Sequence, residues 1–265
     1  MIIKRPLNFD IEQIAKSGQC FRIIETRDKV YRAITGEHYV EIKHLGDDSL
    51  SVSCDKETWE SVWVPYFDLD TDYSAYVNKL ISLGGYLKEA AEFSSGIRIL
   101  RQDPFETLMS YIISQRNRIP RIMQAVENIA EVMGERRIDP FTGKVFYTFP
   151  DINSFVEKRS MLDDLKLGYR TQYLKRSSYR VLLNGMDTYM TFEKALELDG
   201  VGPKVANCYC LYGLHQLDRF PIDTWMRYII DTYFGGNIDT SEFSQFAGVA
   251  QQYMFYYERN RGSKM

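Results

Sequence analysis

The chain is short of cysteine and carries no overall excess of positive charge. Its four cysteines, Cys20, Cys54, Cys208 and Cys210, show no zinc-ligand spacing. Such a set suits a reduced, cytoplasmic protein. No apolar run is long enough to cross a bilayer, and the opening Met-Ile-Ile-Lys-Arg-Pro-Leu-Asn-Phe has no signal-peptide apolar core, so no membrane partner is expected. Internal repeats and low-complexity stretches are missing as well. The formal net charge of −3 speaks against a nucleic-acid binder. Its distribution speaks less clearly against one. Residues 1–95 hold 11 Lys and Arg against 16 Asp and Glu, whereas residues 96–265 hold 22 against 20. A surface for a polyanion therefore belongs mainly on the second part.

Hydrophobic residues make up 45% and aromatics 14% of 265 residues, enough for a sizeable core and for two domains. Phe21-Arg-Ile-Ile, Val30-Tyr-Arg-Ala-Ile, Tyr39-Val-Glu-Ile and Leu50-Ser-Val-Ser are short β-rich runs at hairpin distances. They predict an antiparallel meander. From Lys56 the apolar spacing turns helical through Trp59, Val62 and Trp63, then Tyr76, Leu80 and Ile81, with a break at Gly84-Gly85. Ser94-Ser-Gly marks a boundary, giving expected domains of residues 1–95 and 96–265.

From Ile97 onward only helices are expected. Asp103 caps one, Pro104 takes its first position, and Glu106 completes a capping-box-like start. Phe105, Leu108, Met109, Ile112 and Ile113 form one apolar stripe, and Ile119, Ile122, Met123, Val126 and Ile129 another. Further helices are predicted over residues 152–157, 169–183, 191–196, 203–214, 224–233 and 242–257. A sheet followed by helices is an α+β arrangement.

The most informative stretch is residues 198–208, Leu-Asp-Gly-Val-Gly-Pro-Lys-Val-Ala-Asn-Cys, with Phe-Pro-Ile-Asp223 beyond it. A helix stops at a glycine pair, Gly200 and Gly202, which permit the positive φ angles of a tight turn. Pro203 opens the next helix. Free N–H groups at the hairpin and at that helix start form an anion site suited to a DNA phosphate. Lys204 is the second residue of the helix. A cation at the positive end of a helix dipole is misplaced, which favours the neutral, nucleophilic amine. Asp223 reads as the N-cap of a helix from Thr224. Taken singly, Lys204 reads as a solvated lysine and Asp223 as a cap. As a pair in this spacing they resemble the Gly/Pro-rich loop and Asp signature of the helix-hairpin-helix DNA glycosylase superfamily, with Lys204 at the lysine of its bifunctional members.

Four further runs resemble the 8-oxoguanine DNA glycosylase branch. They are Ser17-Gly-Gln-Cys-Phe, Ile97-Arg-Ile-Leu-Arg-Gln-Asp-Pro, Leu167-Gly-Tyr-Arg and Gly248-Val-Ala-Gln-Gln-Tyr-Met-Phe. The resemblance spans nearly the whole chain. It implies a TBP-like antiparallel sheet domain followed by an all-α helix-hairpin-helix domain. It also implies 8-oxoguanine-containing duplex DNA as partner and a monomer as the working unit. Because no cysteine follows Cys210, the C-terminal iron–sulfur pattern of endonuclease III-like relatives is absent. No cofactor is expected, although the hairpin carbonyls leave open a monovalent cation.

The resemblance assigns roles residue by residue. Phe255 stacks on the flipped base, Cys208 covers its other face, and Gln251 reads the Watson–Crick edge. The Gly18 carbonyl tests for the N7–H that oxidation creates. Tyr169 is the wedge, and Arg170 and Arg121 hold the opposite cytosine. Individually these residues also read as core, turn or solvated helix face. Two positions depart from the pattern of eukaryotic members. Arg116 replaces a gap-filling asparagine, and Trp225 replaces a phosphate-contacting histidine. The short tail is similar to that of compact prokaryotic members. The implied reaction is attack of Lys204 on C1′, release of 8-oxoguanine, a Schiff base and β-elimination, with Asp223 stabilising charge at the sugar. An alkylated-base glycosylase without lyase activity and a non-catalytic DNA-binding module are the alternatives. Lys204 argues against the first, and the joint presence of Lys204, Asp223, Gln251 and Phe255 against the second.

Overall fold

A computed structural model describes residues 1–46 and 48–261. The chain opens with β1 (Ile2–Lys4) and α1 (Ile11–Lys16), then runs through β2 (Ile23–Arg27), β3 (Val30–Thr35), β4 (His38–His44) and β5 (Ser49–Val52). All pairings are antiparallel and the strand order is β1-β5-β4-β3-β2. The expected meander is present, and β1 adds an unforeseen fifth strand at its edge. Tyr31 pairs with Ile42 and Ala33 with Val40, so period-two alternation sends these four to one face. There they join Ile11 and Ile14 of α1 with Trp59, Trp63 and Phe67. After α2 (Lys56–Thr58), the two tryptophans lie in a π-helical turn (Trp59–Trp63), and Phe67 follows α3 (Val64–Tyr66).

The larger body begins with α4 (Tyr73–Leu83) and α5 (Gly85–Ser94) and continues with α6 (Pro104–Ile113) and α7 (Ile119–Met133). Asp103 caps α6, its carboxylate accepting from the Glu106 N–H at 2.8 Å. After α7 the expectation of helices alone fails. A hairpin of β6 (Arg136–Ile138) and β7 (Val145–Tyr147) interrupts. It places Phe146 against Ile34 and Tyr39 on the other face of the large sheet. The remaining helices are α8 (Ile152–Glu157), α9 (Arg170–Asn184), α10 (Phe192–Ala195), α11 (Pro203–Tyr212), α12 (Thr224–Tyr233) and α13 (Ala247–Asn260). The segment expected as one helix over 242–257 splits into a 3-10 turn (Ser241–Phe246) and α13, with non-helical angles at Phe243.

Two large hydrophobic clusters result. One gathers residues from Phe9 to Phe67 with Leu100; the other holds Phe21 and most apolar residues from Tyr73 to Tyr256. Arg98, 2% exposed, lies where they meet. Its guanidinium donates to the carbonyls of Leu7, Phe67, Asp68 and Thr71 and stands 4.1 Å from the Tyr73 ring centroid. In the larger body α13 packs on α5, where Ser94 donates to the Tyr253 carbonyl at 3.1 Å.

Candidate active site

The hairpin between α10 and α11 is buttressed by α9. Gly200 has φ +77°, and a Cβ there would lie 2.4 Å from the Tyr173 ring. Ser177, one turn further along α9, donates to the Asp199 carbonyl at 2.8 Å. Gly202 differs from the expectation: its φ is −93°, so only Gly200 of the pair uses a glycine conformation. Gly202 is instead the N-cap of α11, with no side chain to cover the first-turn N–H groups. The first-turn N–H groups of α11 are therefore left uncapped by the missing side chain at 202 rather than by its dihedral angles.

Lys204 follows Pro203 and turns inward. Its Nζ lies 3.4 Å from Ser114 Oγ and 5.0 Å from the centroid of the Tyr111 ring. Asp223 caps α12 through an Oδ1 contact of 2.9 Å with the Met226 N–H, which fixes the carboxylate. Both line a cleft of about 380 Å³ and a recess of about 50 Å³ beside it. Gly18, Tyr111 and Phe255 also line both, so the two spaces share one wall. The recess adds Cys208 and Gln251; the cleft adds Trp225 and Arg259.

Burial pushes the Cys208 thiol up to about 11, against the opposing pull of the Lys204 charge. It is therefore an uncharged, apolar-like surface at neutral pH. Gln251 is 4% exposed, not a surface residue. The Tyr212 hydroxyl lies 3.4 Å from Gln251 Oε1 and 2.5 Å from Gln252 Oε1. Its single proton serves the closer acceptor. Gln252 in turn donates to the Ser17 carbonyl at 2.8 Å, tying α13 to the loop that carries Gly18. The Gly18 carbonyl accepts from Tyr111 at 3.3 Å, which leaves a second lone pair for a ligand. Tyr111 stacks on Tyr212 with centroids 5.4 Å apart. Tyr111, Tyr212 and Arg259 lie outside the sequence motifs, and Gln252 lies within one but without an assigned role; the packing brings all four here.

A second group lies where the turn after α6 meets the start of α9. Tyr169 is 49% exposed, and the Arg170 guanidinium sits 4.6 Å from its ring centroid. Arg170 donates to the carbonyls of Gln115, Arg116 and Leu167. Arg116 has φ +47° at the tip of that turn and is exposed. Arg121, on the first turn of α7, is exposed. The structure therefore joins Tyr169, Arg170 and Arg116, while Arg121 stands apart from their contacts.

A lysine-bearing hairpin beside a recess of this kind resembles the arrangement of helix-hairpin-helix DNA glycosylases. Residues 1–108 match the family described as 8-oxoguanine DNA glycosylase, N-terminal domain. The apo structure of a Clostridium acetobutylicum 8-oxoguanine glycosylase/lyase is 33% identical, with TM-score 0.87, covering 97% of this chain and 95% of that one. The same enzyme's complex with double-stranded DNA containing cytosine opposite 8-oxoguanine is 32% identical, with TM-score 0.89, over 99% and 96%. A probable N-glycosylase/DNA lyase of Methanothermobacter thermautotrophicus is 29% identical over 78% of this chain and 76% of its own. The chain belongs to the 8-oxoguanine DNA glycosylase family. Among the described residues, no helix is long and apolar enough to cross a membrane.

Proposed function

We propose that this protein is a bifunctional DNA glycosylase/AP lyase that flips 8-oxoguanine out of duplex DNA, excises it and nicks the strand. The observation that carries the reading is that Lys204 and Asp223 both lie on the wall shared by cleft and recess. The open N–H groups of α11 hold a phosphate, and the flipped nucleotide places its base where cleft and recess join, against Gly18 and Phe255. Phe255 and the neutral Cys208 take the two faces of the base. Gln251, buried and with a weakly engaged amide, reads the Watson–Crick edge, while the Gly18 carbonyl accepts from N7–H.

The Lys204 nitrogen attacks C1′ as the bond to N9 breaks, and its electron pair leaves with the base. Positive charge that develops on the sugar is stabilised by Asp223. Loss of the amine proton and opening of the sugar give a Schiff base. Removal of a C2′ proton then expels the 3′ phosphate by β-elimination. Alkylated-base excision without lyase chemistry has no use for Lys204. Borohydride added during turnover is expected to trap a covalent protein–DNA adduct. Lys204→Gln is expected to abolish both the adduct and base release. An adduct that persists in the variant would place the nucleophile elsewhere.

A further inference from the structure

Arg259 lies one turn beyond Phe255 and two beyond Gln251 on α13. It lines the cleft, yet among the described residues its guanidinium has no hydrogen-bond or ion-pair partner. Nη1 is buried without an acceptor, and the guanidinium carbon stands 5.1 Å from the Phe255 ring centroid. A Cβ built on Gly18 would lie 3.6 Å from that Nη1. The cation and the Gly18 backbone therefore share one wall. Burial pulls the guanidinium below its ordinary value, opposed by the Asp223 carboxylate. A buried guanidinium N–H without an acceptor is unfavourable, and the rest of this half-buried guanidinium lines the cleft where a ligand can supply acceptors.

The chemistry of that acceptor follows from the helix. Gln251, Phe255 and Arg259 are four residues apart, so they line up along one face of α13. A base stacked on Phe255 with its Watson–Crick edge toward Gln251 turns its far edge toward Arg259. On 8-oxoguanine that edge carries the C8 oxygen, next to the N7–H that the Gly18 carbonyl would accept. Acceptor and donor on the wall then complement donor and acceptor on the base. We infer that Arg259 is a specificity-determining residue that donates a hydrogen bond to O8 of the flipped 8-oxoguanine. Ordinary guanine has C8–H there and offers nothing to it.

This inference rests on the glycosylase reading and deepens it. Arg259 also acts during the reaction. As Lys204 bonds to C1′ and the C1′–N9 bond breaks, the electron pair left on the base is delocalised through C8 onto O8, beside the cation.

Two single-turnover rates test it: release of 8-oxoguanine opposite cytosine, and nicking of a duplex with a preformed abasic site, which has no base. Arg259→Leu and Arg259→Gln should slow base release about ten- to a hundred-fold, the range for a hydrogen bond from a charged donor. Both should nick the abasic duplex near the wild-type rate, and Arg259→Lys should recover part of the lost excision. Equal losses in both assays would make Arg259 a phosphate contact or scaffold and overturn the inference. So would unchanged excision in the Leu and Gln variants. If Leu fails to fold, as read by circular dichroism, the Gln variant decides. A wild-type protein that nicks abasic DNA but releases no 8-oxoguanine would instead sink the parent reading.

Discussion

Arg170 closes the turn after α6 by donating to the carbonyls of Gln115, Arg116 and Leu167. If Arg170 holds the base opposite the lesion, as proposed, a cytosine there must join or displace those bonds. A contact of this type discriminates between bases by ~1–3 kcal/mol, and the exposed Arg116 nearby can reach other bases too. Excision is therefore expected to be fastest opposite cytosine and measurable opposite the other three bases. Arg170→Ala should flatten that preference; a preference that survives intact leaves Arg170 a purely structural tie. Tyr169→Ala should weaken binding to a lesion duplex by ~1–3 kcal/mol, by analogy with base–aromatic stacking. Anisotropy titrations would reveal this, and an unchanged affinity would remove Tyr169 from the interface. At this scale, Lys204 and Asp223 were legible because a hairpin and a cap are local features. Arg259 and Gln252 were not, since what makes them notable is a neighbour more than two hundred residues away, Gly18 or Ser17.

At the scale of elements, the bounds of α8 and α12 follow the sequence pattern because each begins at a capping aspartate, Asp151 or Asp223. The β6–β7 hairpin escaped because its strands are three residues long and are stabilised by Phe146 reaching another sheet. The hairpin glycines differ from each other in a way that spacing could not reveal. Gly200→Ala meets both a positive φ and the Tyr173 ring, so it should destabilise the fold by at least ~1 kcal/mol in chemical denaturation. Gly202→Ala, at φ −93° with open space around it, should keep stability but weaken DNA binding. The reverse ranking would mean that the phosphate site is built differently.

Across the whole molecule, Asp68 links the two bodies. It is 3% exposed, pairs with Arg101 at 2.8 Å and His215 at 3.2 Å, and accepts from Thr71 and Tyr73. Burial alone would raise its carboxyl, but the hydrogen bond and charge of His215, with the Thr71 hydrogen bond and the Arg101 charge, together hold it below the ordinary 3.8. A depressed carboxylate contributes stability that is fully present above the unfolded value and lost as pH falls through the lower folded one. Thermal stability should therefore decline below about pH 3.8. Asp68→Asn should flatten that limb while lowering stability at neutral pH, and an identical acid limb in both proteins would place the linkage in another group.

The joining of Gly18 to the last helix has a consequence in time. Val249, Ala250, Tyr253 and Met254 of α13 are completely buried, and Gln252 binds the loop at the other end of the chain. A ribosome finishes the Gly200–Gly202 hairpin and Lys204 before it reaches these residues. Yet the larger core cannot close without them, and contacts of such sequence separation form late. The growing chain thus acquires its stable body and its ability to tell a damaged base from a sound one in the same final event. A chain cut short before α13 would be unfolded, rather than an indiscriminate cutter of DNA.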